Sequence, residues 1–266
     1  MILDKSYRLP YYTELINPEG TLSMGVFGDS YARSSHAGIE QWWNYLLAKK
    51  IGVKSYDNYG FGGTSFYYTF NTFLENHSKH DVVVIAVTDS SRYHSIISLS
   101  SLGTRKIIPT PGLRNIESIL RKDDKFNKYE KELLTQIKHW YMVNSLEYAE
   151  DMQELMIEEI IRLRPDAIII PCFGSSFSKK RRKQLKITDL HNLYQMTLLQ
   201  GKSLGIDLHE NNYEENPETI FCHFTKEMNQ YVADLIYTKY VSGEWNWDIP
   251  EFISHSNPLN YYYTQA

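Results

Sequence analysis

Residues 81–88 read DVVVIAVT, and this stretch decides the fold class. Every residue between Asp81 and Thr88 is apolar, and all but Ala86 are β-branched. A strand with one wet face would alternate polar and apolar side chains, so an unbroken run predicts burial on both faces. Such strands belong to parallel sheets, whose crossover helices cover both sides. Working outward, residues 22–27 (LSMGVF) predict a buried strand that stops at Gly28. Residues 53–58 give a weaker one, and 167–172 (AIIIPC) another, with its proline near the end where a missing N–H does little harm. Helical spacing at 38–50, 64–76, 188–201 and 225–240 fills the intervals. Lys49 and Lys50 close the first of these helices where the macrodipole favours cations, and Thr225 caps the last. Strands alternating with helices predict an α/β fold.

The composition sets outer bounds. The 266 residues include 28 basic and 32 acidic side chains, a net charge of −4, with 42% hydrophobic and 23% charged residues. That balance is globular and excludes a disordered chain. The length suits one large domain or two small ones. No apolar run approaches the ~20 residues of a membrane-spanning helix. The first twenty residues carry Asp4, Lys5, Arg8 and Glu14 without a continuous apolar stretch, so no secretory signal is expected and a cytoplasmic or particle-associated protein is. Cys172 and Cys222 allow one bridge at most and no disulfide framework. The 21 tyrosines bias the surface towards recognition.

One interval breaks the rhythm of strand and helix. Between the strands at 81–88 and 167–172 lie far more residues than a crossover needs. Residues 90–120 read as an irregular loop with Pro109, Pro111 and Gly112, and 126–163 as two helices. The expectation is a single domain over 1–243, with an insertion at about 90–146 covering one side of the sheet edge. A tail over 244–266 carries Trp245, Trp247, Tyr261, Tyr262 and Tyr263 without any periodicity.

Ligands of open parallel sheets collect at the carboxyl ends of the strands. Four polar or glycine-rich clusters are expected on that rim. They are Gly28-Asp29-Ser30-Tyr31, Asn58-Tyr59-Gly60-Phe61-Gly62-Gly63-Thr64, Thr88-Asp89-Ser90-Ser91-Arg92, and Cys222-His223-Phe224-Thr225. A serine on a tight turn, a distant histidine and a set of N–H donors are what acyl transfer requires. The hydroxyl is a poor nucleophile until an imidazole takes its proton, and the developing oxyanion needs preorganised donors. Gly63, lacking Cβ, lets its N–H approach such an oxygen closely.

In three of these blocks, Gly28-Asp29-Ser30, Asn58-x-Gly60-x-x-Gly63 and the late His223 before a Thr225-capped helix, the chain resembles the SGNH (GDSL-type) hydrolases. The resemblance spans roughly residues 22–90 and 165–240. It implies a flavodoxin-like three-layer αβα sandwich with a mostly parallel five-stranded sheet in the order 2-1-3-4-5. It makes Ser30 the nucleophile, His223 the general base, and the Ser30 and Gly63 N–H groups most of the oxyanion hole, with no metal or cofactor. Asp29, Asn58, Asp89, Arg92 and Glu218 become supporting or substrate-binding residues. The substrate it implies is a carboxylic ester, with O-acetylated carbohydrate first because aromatic surroundings suit sugar rings. Two positions depart from the family pattern. Where the family has Gly-x-Asn-Asp this chain has Ala86-Val87-Thr88-Asp89, putting a Thr88 hydroxyl in place of the amide donor. Three residues before His223 stands Ile220 instead of Asp, leaving Glu218, Glu215, Asp207 or a backbone carbonyl to orient the imidazole.

Blander readings stand beside these. Arg92 binds an anionic substrate group or forms a surface ion pair. Cys222 and His223 have no second pair at zinc-ligand spacing. His77 and His80 share a helix face and are expected to be solvated. The basic run 179–186 (KKRRKQLK) is a solvated loop, or it draws anions to the rim. The net charge and the lack of a known module argue against nucleic acid as a partner. Gly201-Lys202-Ser203 is no P-loop, because Met196 stands where glycine is required. No Gly-x-Ser-x-Gly occurs, so an α/β-hydrolase nucleophile elbow is unsupported. The rival to an esterase is a protein that keeps the fold without turnover and assembles into an oligomer or larger particle through the insertion and tail.

Overall fold

The computed structural model describes residues 10–33, 38–61, 64–88, 90, 135, 139, 146–172 and 226–244. Its strands are β1 (Tyr12–Leu15), β2 (Ser23–Phe27), β3 (Ser55–Asn58), β4 (Val82–Val87) and β5 (Ile168–Pro171). Its α-helices are α1 (Trp43–Ile51), α2 (Phe66–Asn76), α3 (Leu146–Leu163) and α4 (Lys226–Ser242), with 3-10 turns at Ile39–Gln41 and His77–Lys79. They form one five-stranded sheet in the order β1-β3-β2-β4-β5. The β3–β2, β2–β4 and β4–β5 pairs are parallel, and only β1 runs antiparallel, against β3.

The four expected strands therefore lie in the order second, first, third, fourth, the order that the resemblance implies for them. The fifth described strand, β1, is an N-terminal one added beside β3, and a late strand beyond β5 would fall outside the described residues. The expected helix at 188–201, much of the insertion, and the tail beyond Glu244 lie outside the described residues.

The central run behaves as its composition dictates. Val82, Val84 and Ala86 face one layer with Met24, Val26, Ile168 and Ile170, under Trp43, Leu47 and Ala48 of α1 and Val232, Ala233 and Ile236 of α4. Val83, Ile85 and Val87 face the other with Phe27 and Ile169, under Phe66 and Phe73 of α2 and Ile157 and Ile160 of α3. Both faces of β4 are buried along its whole length, giving three layers. The end of the helical stretch expected at 126–163 thus becomes α3, the helix that leads into β5. Among the described residues no helix is long and apolar enough to cross a membrane.

Two local differences have physical causes. The helix expected from residue 38 starts instead at Trp43, after an extended Trp42. The Trp43 N–H is satisfied by Asn229 Oδ1 of α4 at 3.0 Å, so its partner comes from the far end of the chain. His80, expected to be solvated, is buried. Its ring lies against Gly25, where a Cβ would stand 2.3 Å from Cδ2. The Tyr59 hydroxyl sits 3.1 Å from its Nε2.

Candidate active site

β2 is the central strand from which the parallel sheet grows in both directions, so the residues after Phe27 emerge at the topological switch point. Gly28 passes so close to β4 that a Cβ would lie 2.6 Å from Ala86 Cβ and 2.9 Å from Ala32 Cβ. Asp29 then organises the turn. Its carbonyl accepts the N–H groups of Ala32 and Arg33, each at 3.1 Å, closing one helical turn. Its Oδ1 accepts the Tyr31 N–H at 3.0 Å and its Oδ2 accepts the Thr88 hydroxyl at 2.6 Å. Asp29 is fully buried, while Ser30, on the same turn, is half-buried. The backbone of a nucleophile candidate is thereby held from below and its side chain left at the rim.

A closed ring of hydrogen bonds supports that turn. The Ala32 carbonyl accepts from Asn44 Nδ2 at 2.6 Å and from Asn58 Nδ2 at 2.8 Å. Tyr56 completes the circuit, donating to Asn44 Oδ1 at 2.6 Å and accepting from Asn58 Nδ2 at 2.8 Å. Asn44, Tyr56 and Asn58 are all fully buried, and burial pushes the Tyr56 phenol well above its ordinary range, so it remains a donor. Asn58 Oδ1 accepts the Gly60 N–H at 2.7 Å, and the Phe61 N–H donates to the Gly28 carbonyl at 3.0 Å. One side chain, Asn58, thus ties the start of the glycine-rich loop to the serine turn.

The end of β4 closes the third side. Thr88 is buried, and its one hydroxyl proton points at Asp29. Donation to a substrate oxygen would require it to rotate away from that acceptor. The Thr88 carbonyl accepts from Gln153 Nε2 of α3 at 2.8 Å.

Of the residues expected at the site, Asp29, Ser30, Asn58 and Thr88 are brought to one rim. Gly63, Asp89, Arg92, Glu218 and His223 lie outside the described residues. Sequence reasoning passes over Asn44, Tyr56 and Gln153, which carry no motif. It also passes over Arg33. Its guanidinium carbon lies 3.1 Å from the centroid of the Tyr11 ring and 5.2 Å from that of Phe61. Burial lowers the Arg33 pKa and the Tyr11 phenol opposes that shift.

No family model and no curated protein matches the sequence. Several solved structures show distant likeness. A protein of the G-D-S-L lipolytic family from Desulfitobacterium hafniense is 10% identical with a TM-score of 0.37, over 82% of this chain and 99% of that one. A G-D-S-L family member from Veillonella parvula is 11% identical with a TM-score of 0.33, over 82% and 100%. An acetyl-xylooligosaccharide esterase from Geobacillus is 12% identical with a TM-score of 0.35, over 88% and 98%. At such distance the site has to be read from its own residues.

Proposed function

We propose that this chain is a serine ester hydrolase. The observation that carries the reading is the placement of Ser30. It stands on a single helical turn at the carboxyl edge of the central strand, held through Asp29 and the Ala32 carbonyl by buried donors from three other segments. Preorganisation of this kind is worth most where a small displacement of a reacting atom is costly. In the proposed reaction Ser30 Oγ attacks the ester carbonyl while His223 takes its proton. The alcohol leaves with that proton. Water, deprotonated by His223, then releases the acid from the Ser30 acyl-enzyme. The Ser30 and Gly63 N–H groups would hold the oxyanion. Thr88 is assigned to holding Asp29, with any donation to substrate requiring it to turn away. O-acetylated carbohydrate is the proposed substrate class.

The Thr88 geometry also bears on the rival reading, a protein of this fold without turnover, since the site then has two oxyanion donors instead of three. Losing one such donor costs ~10²–10³ in rate, which slows an esterase without abolishing it. The deciding experiment is labelling with a fluorophosphonate, with hydrolysis of 4-nitrophenyl acetate in parallel, for the wild type, Ser30→Ala and His223→Ala. Modification mapped to Ser30 and turnover lost in both variants are expected. An unlabelled wild type hydrolysing at the buffer rate, or turnover that survives Ser30→Ala, overturns the assignment.

A further inference from the structure

Arg33 closes the turn that carries Ser30. Its N–H donates to the Asp29 carbonyl at 3.1 Å, so Ser30 and Arg33 are three residues apart within one helical turn. Side chains at that spacing leave from the same side of a helical turn. The Arg33 side chain is held there by two aromatic rings from distant segments. Tyr11 arrives on the backbone that leads into the edge strand β1, its N–H bonded to the Asn58 carbonyl at 2.7 Å. Phe61 arrives on the glycine-rich loop, its N–H bonded to the Gly28 carbonyl, and its ring meets that of Tyr68 at 6.2 Å.

A guanidinium lying against aromatic faces keeps its in-plane N–H donors, arranged as a rigid fork. Among the described residues no carboxylate forms an ion pair with Arg33. Tyr11 is 52% exposed, so the stack lies at the surface and not within the core. A cation stripped of part of its hydration, set over two aromatic rings and one turn from the nucleophile candidate, is arranged to receive an anion on its outward N–H donors.

We infer that Arg33, clamped by Tyr11 and Phe61, is an anion subsite beside Ser30 and that the preferred ester carries a carboxylate. This rests on the esterase reading and gives it a substrate class. With an acetyl group as the acyl half, the charge has to sit on the alcohol half, an O-acetylated acidic sugar being the simplest case.

The test is a ratio of kcat/KM values for matched substrates, 4-acetoxybenzoate against 4-acetoxybenzamide. The wild type should favour the carboxylate. In Arg33→Met that ratio should fall about tenfold or more through KM, the size expected when a charge-assisted pair of ~1.5–3 kcal/mol is lost. Arg33→Lys, which keeps the charge and loses the fork, should fall between. 4-Nitrophenyl hemisuccinate against 4-nitrophenyl butyrate puts the charge on the acyl half. A ratio that responds to Arg33→Met only in this second pair moves the anion to the acyl side and overturns the assignment to the alcohol. Equal losses on charged and neutral members of both pairs make Arg33 a packing residue and overturn the subsite.

A second readout keeps this separate from the esterase reading. Binding of 4-hydroxybenzoate to Ser30→Ala protein, followed by ligand NMR, should weaken about tenfold when Arg33→Met is added. If Ser30 proves dispensable yet this dependence holds, the esterase reading fails and the anion site stands. If neither binding nor ratio depends on Arg33, the anion site fails whatever Ser30 does.

Discussion

Replacing Thr88 with Val tests the assignment of its hydroxyl to Asp29. The Oγ1–Oδ2 hydrogen bond is 2.6 Å long and joins residues 59 positions apart, the end of β4 and the serine turn. Both partners are buried, Thr88 at 1% and Asp29 at 0% exposure. Val has nearly the shape of Thr, so no cavity opens, and the loss is a donor to a buried carboxyl oxygen. Leaving such an acceptor short of a donor costs ~1–3 kcal/mol. For a chain of this size, at roughly 2–4 °C per kcal/mol, that is a fall in Tm of roughly 2–12 °C. The assay is equilibrium urea unfolding, with the midpoint shifting at constant slope, alongside kcat on 4-nitrophenyl acetate. Thr88→Ser, which keeps the hydroxyl, should recover most of the stability. A Thr88→Val protein as stable as the wild type, with kcat down by ~10²–10³, would refute the reasoning and make Thr88 an oxyanion donor.

Tyr56→Phe breaks the ring beneath the turn at two points, removing the donor to Asn44 Oδ1 and the acceptor of Asn58 Nδ2. A destabilisation of ~2 kcal/mol is expected by urea unfolding, and a change under ~0.5 kcal/mol would show the ring to be dispensable. Gly28→Ala drives a methyl to 2.6 Å from Ala86 Cβ, so a loss of ~1–3 kcal/mol is expected from thermal melting, and an unchanged Tm would contradict the close approach. His80 governs an acid limb. Burial holds its pKa below the ordinary value, with Asp57 pulling it up, Lys79 and Arg164 pushing it down and Asp81 raising it. The unfolded chain therefore takes up this proton first, near pH ~6.5, so stability falls as the pH drops below that and levels off only under the folded-state pKa. His80→Gln should flatten the dependence of Tm on pH between about 7 and 5, leaving the share of His77, which burial and Arg164 also depress. Equal slopes in the two proteins would exclude His80 as the cause. Asp81, held low by its hydrogen bonds from the Ser23 backbone and hydroxyl, loses its contribution only below about pH 4, so the two windows separate.

How much is legible in the sequence depends on the range of the forces involved. DVVVIAVT and LSMGVF declare buried strands because burial on two faces is written into consecutive residues. The YTEL of β1 does not, since its four residues alternate between half-buried and exposed and gain strand form only by pairing with β3. The start of α1 is hidden because its N–H partner, Asn229, lies 186 residues away. His80 reads as solvated because the space it fills is made by Gly25 on a neighbouring strand. The rim is legible as a place, through Gly28-Asp29-Ser30 and Asn58. The use of each polar group is not, for the bond between Thr88 and Asp29 exists only once β2 and β4 are side by side.

The same distinction explains why so many polar side chains lie buried beneath one turn. Asn44, Tyr56, Asn58, Asp29 and Thr88 would each be costly in a core if left unpaired. Apolar side chains of similar size would fill the same space at less risk. They would not fix the Ala32 carbonyl or the direction of the Gly60 N–H, because dispersion forces are nearly indifferent to orientation. A hydrogen-bonded ring is not. If Ser30 had no chemistry to perform, a looser apolar support would hold the sheet as well. The ring therefore predicts that Asn58→Leu, even where packing keeps its stability within ~1 kcal/mol of the wild type, reduces kcat far more than that difference implies, because the serine turn and the loop leading to Gly63 lose their common anchor. Measuring both on one preparation decides it. A kcat within about twofold of the wild type, at matched stability, would mean that the ring serves the fold alone.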